Sequence, residues 1–320
     1  MATTLTGQAG NIKDLLTGIG RDGNYQVVGH ILDRETVVYR DAPMVEANNI
    51  TFHEYTVDNT LPSSSIRRAN KRRTFAKGSA RMETVAIEDR SIVYKVDVED
   101  LKKAPNPQEF LNNEMRRGLQ GIAQDFDTQV LYGTGIGDEM EGLAPKLDTL
   151  GQFVISGGGS SDLTSMYLVA WDAAAGASMA YPKGSNAGIK MEDKGIVKSI
   201  TDDGFIEYAV HEVSVAGGLV VKDDRAIGRI ANIDVGTPTS TTFDEDDMIL
   251  LVNQFPAHLR NKIKAYVSRD LKAAIDMRAN AKDNAYYTPM VGVFGEAINA
   301  IVGVPIMLDE MISQNESAIS

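Results

Sequence analysis

The chain has 320 residues, enough for two packed domains with extensions, and its 43% hydrophobic and 24% charged residues are typical of a folded globular protein. It has no cysteine, which excludes disulfides and thiolate metal sites, and no apolar run near the roughly 20 residues that cross a bilayer. The net charge of −12 argues against nucleic-acid binding by the whole surface, because neutralising phosphates requires clustered Lys and Arg.

Residues 1–49 are predicted to form an N-terminal arm. The first residues lack the basic and apolar segments of a secretory signal, so we expect synthesis in a reducing cytosol. Residues 11–17 and 27–38 each suggest a short helix, but glycines interrupt the pattern and Pro43 ends it. Neither segment has enough apolar periodicity to fold alone.

Residues 50–98 are predicted to form a long hairpin with strands near 50–57 and 91–98. Apolar residues alternate imperfectly in the first strand and cleanly in the second. The connection carries seven basic residues and no acid between positions 59 and 82, namely Arg67, Arg68, Lys71, Arg72, Arg73, Lys77 and Arg81. Its length indicates either disorder or function. We favour a projecting basic finger that contacts acidic patches on neighbouring copies, the alternative being a merely solvated loop.

The clearest helix is predicted over residues 107–131, with Asn106 as its N-cap and Gly133 as its stop. Six apolar residues fall on one helix face: Leu111, Met115, Leu119, Ile122, Phe126 and Val130. A rod of this length spans roughly 37 Å. Gly118 and Gly121 each cost about 1 kcal/mol of helix propensity, so we expect tertiary packing to hold the rod straight.

The remaining chain divides into a strand-rich part and an α/β part. Residues 163–234 are predicted to be mostly strand, with turns at 202–204 (Asp-Asp-Gly) and 217–218 (Gly-Gly). In this segment Met166, Leu168 and Ala170 alternate with Tyr167, Val169 and Trp171. From residue 237 the pattern indicates a helix at 244–254, a strand at 262–268 and a helix from there to about residue 280.

No catalytic, cofactor or metal site is predicted. Residues 133–137 (Gly-Thr-Gly-Ile-Gly) resemble a dinucleotide loop, but they follow a helix instead of opening one. Residues 157–160 (Gly-Gly-Gly-Ser) are interpreted as a linker, and the four histidines, at positions 30, 53, 211 and 258, lie in separate segments. The acidic clusters lack the order of an EF-hand. A histidine-based triad assembled in space, or cation binding by the acidic clusters, stays open.

Short motifs follow one another over residues 10–320. They are LP…R..N within 59–72, VD at 96–97, LYGT at 131–134, GLAP at 142–145, TSMYLVAW at 164–171, YPKGSNAG at 181–188, DR at 224–225, RIANID at 229–234, and GVPI at 303–306 followed by Asp309, Glu310 and Glu316. Each motif is weak alone. In this collinear order they resemble the motifs of major capsid proteins from short-tailed bacteriophages and their relatives.

The resemblance implies an α+β protein with the Hong Kong 97-type (Johnson) capsid fold. It implies an N-terminal arm over 1–49, an extended E-loop hairpin over 50–98, a peripheral domain over 99–236 and an axial domain over 237–320. The peripheral domain would contain the spine helix at about 107–131 and the β-rich segment. Because that segment lies between the spine helix and the axial domain, we expect a rearranged connectivity in which 163–234 supplies the peripheral sheet.

The function implied by the resemblance is structural and not enzymatic. Copies of the chain would assemble into hexamers and pentamers of an icosahedral head that encloses double-stranded DNA without sequence-specific binding. The resemblance also implies scaffolding and portal proteins as partners, and optionally a decoration protein. It implies no association with a membrane. The protein would be made in the host bacterial cytoplasm and end in the virion. An encapsulin-like compartment shell, a soluble α/β enzyme and a minor or decoration protein of a virion are the alternatives.

Overall fold

A computed structural model describes residues 36–66, 69, 72, 75–103, 105–201, 204–236, 241–279, 287–291 and 297–320. The helices in these residues are α1 Val37–Asp41, α2 Val98–Lys103, α3 Pro107–Tyr132, α4 Leu143–Lys146, α5 Glu245–Gln254 and α6 Arg269–Ala279. The strands are β1 Met44–Glu46, β2 Phe52–Thr60, β3 Ser79–Ala86, β4 Glu88–Asp97, β5 Val154–Ser156, β6 Leu163–Ala170, β7 Ala177–Tyr181, β8 Ile189–Thr201, β9 Gly204–Val221, β10 Ile227–Asp234, β11 Ile263–Val267, β12 Tyr287–Val291, β13 Ala297–Ile301 and β14 Val304–Leu308.

Helix α3 confirms the predicted rod. The Asn106 side chain accepts a hydrogen bond from the Glu109 N–H at 3.4 Å, as an N-cap does, and the helix ends at Gly133. The C-terminal half of its predicted apolar face is buried. Gly118 lies directly under Tyr94 of β4, where an added Cβ would stand 1.8 Å from the Tyr94 Oη. The missing side chain therefore lets the helix pack closely on the sheet.

A five-stranded sheet packs against α3. Its strand order is β1-β7-β9-β4, and β8 also pairs with β9, on the same edge as β7. The β1–β7 pair is parallel and the other pairs of this sheet are antiparallel. Strand β4 ends at Asp97, opposite Tyr208, while β8 and β9 stay paired as far as Thr201 and Gly204. The far end of β8 and β9 is thus a two-stranded ribbon that extends past β4.

A seven-stranded sheet forms a wall between two cores. Its order is β12-β13-β14-β11-β6-β10-β5. Central strand β6 is buried on both faces: Tyr167 and Val169 belong to the core shared with α3, whereas Met166 and Leu168 belong to the core beneath α5 and α6. The alternation predicted for this strand is confirmed, and it assigns successive side chains to different cores.

Other predictions in the C-terminal part are also confirmed. Helix α5 begins after Asp244, whose side chain accepts a hydrogen bond from the Asp246 N–H at 3.0 Å. Strand β11 and helix α6 lie where they were predicted. Near the N-terminus, the predicted helix at 11–17 lies outside the described residues. Of the segment 27–38 only the last three residues are described, and helix α1 begins there and continues to Asp41.

The predicted pairing of the hairpin strands is wrong. The partner of β2 is β3, which lies largely inside the predicted connection, while the predicted second strand, β4, pairs with β9 instead. Strand β3 has little apolar alternation because only its base is covered; Val85 is buried and Met82 is 70% exposed. The pairing of β4 with β9 joins residues far apart in sequence, and no local pattern specifies it.

The segment 163–234 does not supply one sheet. Strands β7, β8 and β9 lie in the five-stranded sheet, but β6 and β10 lie in the seven-stranded sheet. The predicted Gly217–Gly218 turn is wrong as well, because both glycines lie within β9. A Cβ on Gly217 would lie 2.8 Å from the Phe126 ring of α3, so this glycine serves close packing and not chain reversal.

The glycine-rich residues 157–160 are not a free linker. The N–H groups of Gly157 and Gly159 donate hydrogen bonds of 2.7 Å each to the carbonyls of Ala231 and Asn232 on β10. This attachment continues the line of β5 along β10, with which β5 pairs in parallel.

Candidate functional site

In the described residues, the hairpin of β2 and β3 contacts the body through its inner part, as far as Val57 and Arg81. Tyr55 and Val57 of β2 and Val85 of β3 pack with small residues of the five-stranded sheet, including Ala216 and Val220. The two strands stay paired from Phe52 opposite Ala86 to Thr60 opposite Ser79. Nine residues of antiparallel strand extend about 30 Å. The outer part of the hairpin therefore projects from the body.

The described part of the hairpin tip, which joins residue 60 to residue 79, is exposed. Leu61 and Ile66 are 81% and 93% exposed, and Phe75 is fully exposed. A folded chain leaves single apolar side chains on its surface without consequence, but a group of large ones on a projecting segment marks a contact surface.

The predicted contact residues fall into three groups. Arg72 and Lys77 are exposed at the tip, as a contact with a neighbouring copy requires. Arg81 lies on β3, where its guanidinium contacts Glu83 at 2.6 Å and Asp224 at 3.2 Å in the same chain. It thus holds the hairpin to the loop between β9 and β10. Four others lie outside the described residues: Arg67, Arg68, Lys71 and Arg73.

The ribbon at the end of β8 and β9 is a second exposed surface, and sequence reasoning did not identify it. Ile200 pairs with Phe205 across the ribbon, and the two side chains are 83% and 62% exposed. On the same face Lys198 makes an ion pair with Glu207 at 3.1 Å, and its Nζ lies 4.7 Å from the Phe205 ring centre. In the sequence Ile196, Lys198 and Ile200 fall on one face of the strand, so the apolar and charged residues do not separate into two faces and give no clear signal.

The described histidines and metal-ligating side chains are spread over separate parts of the fold. Among them no group of three or more His, Asp or Glu side chains is close enough to hold a metal ion. None of the described helices is long and apolar enough to cross a membrane. His53 is near the hairpin base, His211 pairs with Asp193 on the five-stranded sheet, and His258 lies in the loop before β11. The three therefore form no common site.

The comparison with protein families decides between the alternatives. The family model described as Major capsid protein GP7 matches residues 20–320. The chain belongs to the Major capsid protein GP7 family. It is thus a phage major capsid protein, a component that self-assembles into the capsid shell. No curated protein matches the chain significantly.

Solved capsid structures agree with the fold. The bacteriophage Epsilon15 structure is 22% identical, with a TM-score of 0.64, and the match covers 87% of this chain and 88% of that one. The bacteriophage JBD30 capsid is 11% identical, with a TM-score of 0.54 over 88% of this chain and 92% of that one. The predicted Hong Kong 97-type capsid fold is confirmed for this GP7 family member.

Proposed function

We propose that copies of this protein join into hexamers and pentamers of an icosahedral head around double-stranded DNA, and that the β2–β3 hairpin of each copy lies on its neighbour. The observation that carries this proposal is the exposure of Leu61, Ile66 and Phe75 at the end of a hairpin whose inner part is anchored to the body. A neighbouring copy that covers these side chains removes apolar surface from water.

The physics of a projecting hairpin favours contact with another copy. Two strands without further support are at best marginally stable in water. A covering surface offsets this weakness, and several such contacts in a closed ring raise the effective concentration of each further contact. The ribbon of β8 and β9, with Ile200 and Phe205, is a second surface of the same kind and gives each copy another place to be covered.

The charge distribution suits a container for DNA. With a net charge of −12, a large part of the surface repels phosphate and leaves the enclosed DNA unbound. Scaffolding and portal proteins, and optionally a decoration protein, complete the proposed set of partners. The protein would be made in the cytoplasm of the host bacterium and retained in the virion.

The proposed domains follow the prediction with two changes. We keep the arm and the E-loop, but we assign β1 and β4 to the peripheral domain, because they lie in the five-stranded sheet that packs against α3. Because β5, β6 and β10 lie in one sheet with β11 and β14, we assign these three strands to the axial domain together with residues 237–320.

Charge reversal at the tip tests the role of the hairpin. The double variant Arg72→Glu, Lys77→Glu should form no shells, while its far-UV spectrum and unfolding transition stay those of the natural chain. Lys103→Glu, Lys183→Glu makes the same charge change at two exposed lysines elsewhere and should assemble normally. Size-exclusion chromatography and negative-stain microscopy measure both. Normal shells from the tip variant would refute the proposed contact.

A further inference from the structure

A groove of about 860 Å³ separates the hairpin base from the loop that follows α3. One wall is formed by Phe52, Tyr55 and Val85 of the hairpin. The other wall comes from residues 134–141, and the lining between the walls, its floor, includes the nearly buried Leu147 and Ile227. The groove therefore has a small apolar floor within a mainly polar lining.

The rim of this groove is acidic. Its charged lining consists of Glu83, Asp138, Glu139, Glu141 and Asp224 against Arg81 and Lys146. Both basic groups are engaged inside the chain, Arg81 with Glu83 and Asp224, and Lys146 with Glu141.

Two carboxylates on the loop wall point to the open side of the groove. Asp138 and Glu139 are exposed. The Thr134 hydroxyl donates a 2.6 Å hydrogen bond to Glu139, which lowers the pKa of that carboxyl and keeps it ionised. A cationic, partly apolar segment would complement both the rim and the floor.

The hairpin tip has that composition. Within residues 61–77 there are six basic residues, no acid, and the exposed apolar side chains of Leu61, Ile66 and Phe75. The tip does not occupy the groove of its own chain, because Leu61, Ile66 and Phe75 are almost fully exposed. Two complementary surfaces that do not meet within one chain can meet between two copies.

The contact would be heterologous, joining the tip of one copy to the groove of the next. In an open row of copies, one tip and one groove stay unoccupied at the two ends. Every tip and every groove is occupied only when the copies close into a ring. Hexamers and pentamers are rings of this kind, so a single pair of surfaces would serve both.

We infer that the groove between the β2–β3 base and residues 134–141 receives the basic hairpin tip of a neighbouring copy. This inference rests on the proposed assembly function and assigns its acceptor surface. Asp138 and Glu139 face the basic side chains of the tip, and the groove floor covers its apolar residues.

The absence of cysteine makes a direct test by cross-linking possible. Chains carrying Lys77→Cys and chains carrying Asp138→Cys are assembled together in equal amounts and then oxidised. The inference predicts a disulfide-linked dimer on non-reducing gels that requires both chains. Replacing the second chain by Asp125→Cys, at an exposed position of α3, is the matched control and should give no dimer.

A charge exchange provides a second, independent readout. Asp138→Lys, Glu139→Lys should reduce the yield of shells about tenfold or more, because like charges then meet across the contact. Adding Arg72→Glu, Lys77→Glu to the same chain should restore much of that yield.

The outcomes separate this inference from the proposed function. If the natural chain forms shells but no dimer appears and the groove variant assembles normally, the acceptor groove is wrong and the assembly function stands. If the natural chain forms no shells under any condition, both are wrong.

Discussion

Arg229 of β10 and Glu316 form a buried ion pair, with Arg229 Nη2 2.8 Å from Glu316 Oε2. The hydroxyls of Tyr132 and Tyr167 donate to the other carboxylate oxygen at 2.6 and 3.1 Å. The pair joins two sequence motifs, RIANID at 229–234 and the one that contains Glu316. Its contacts tie the last residues of the chain to α3 and to the seven-stranded sheet.

Removing the charge of Glu316 should destabilise the fold. Glu316→Gln keeps the shape of the side chain but leaves the Arg229 charge buried without its counter-ion, a change that costs about 3 kcal/mol or more. Urea unfolding of the unassembled protein measures the loss. Glu192→Gln, which breaks the exposed pair with Lys190, is the control and should cost under about 1 kcal/mol. Equal effects of the two variants would contradict this account.

Stability should depend on pH through a buried pair of carboxyls. Asp127 of α3 and Asp309 are each 1% exposed and lie against each other. Burial raises the pKa of Asp309 from 3.8 to about 6, and burial together with Asp309 raises the pKa of Asp127 as well. Both folded carboxyls therefore hold protons that the unfolded chain releases. The stability linked to Asp309 is complete below about pH 4 and is lost as pH rises through about 6, and the part linked to Asp127 is lost as pH rises through its own raised pKa.

Asp309→Asn should remove the part of this dependence that comes from Asp309. The amide needs no proton, and its oxygen can still accept the Met311 N–H that the carboxyl accepts at 2.9 Å. Relative to the natural chain, the variant should gain on the order of 3 kcal/mol between pH 4 and pH 8. Unfolding midpoints in urea across this range measure it, with the exposed Asp125→Asn as control. An unchanged pH profile would show that the pair does not titrate in this range.

The two glycines of α3 should respond in opposite directions to alanine. Gly118→Ala forces Tyr94 off the helix and should cost about 1–3 kcal/mol despite the better helix propensity. Gly121 has open space where its Cβ would be, so Gly121→Ala should stabilise by about 0.5–1 kcal/mol. Thermal unfolding of the two variants measures both signs. A gain from both would mean that Tyr94 does not restrict the helix.

The ribbon of β8 and β9 should matter for assembly and not for folding. Ile200→Ser, Phe205→Ser changes two largely exposed side chains and should alter the free energy of unfolding by less than about 1 kcal/mol. Shell formation followed by light scattering should be slower or absent. Leu250→Ser, at a 59% exposed position on α5, serves as the control. Normal assembly by the ribbon variant would show that the ribbon is not a contact surface between copies.

The sequence predicted those elements whose signals are local. Helix α3 has an N-cap, an apolar face and a stop between Asn106 and Gly133, and β6 has the short apolar run of a strand buried on both faces. The pairing of β4 with β9 depends on contacts between distant segments, so the sequence could not show it. In the sequence Gly217 resembles a turn residue. In the structure a glycine is needed there because the Phe126 ring of α3 packs against it, and the local sequence does not show that contact.

The sequence predicted the composition of the candidate site but not its geometry. The basic run identified the hairpin tip, but Arg81 proved to be bound to Glu83 and Asp224 of its own chain. The sequence did not reveal the groove, because the acidic residues at 83, 138, 139, 141 and 224 come together only in the folded chain. The short motifs pointed to the family by resemblance, whereas the composition alone did not.

Sedimentation velocity of a chain without its hairpin tip tests the central claim most directly. A variant in which two glycines replace residues 63–76 keeps the base contacts of Tyr55 and Val85 and should fold with an unchanged unfolding transition. The account predicts shells from the natural chain and only small, unassembled species from this variant under the same conditions. Shells of the same size from both chains would contradict it.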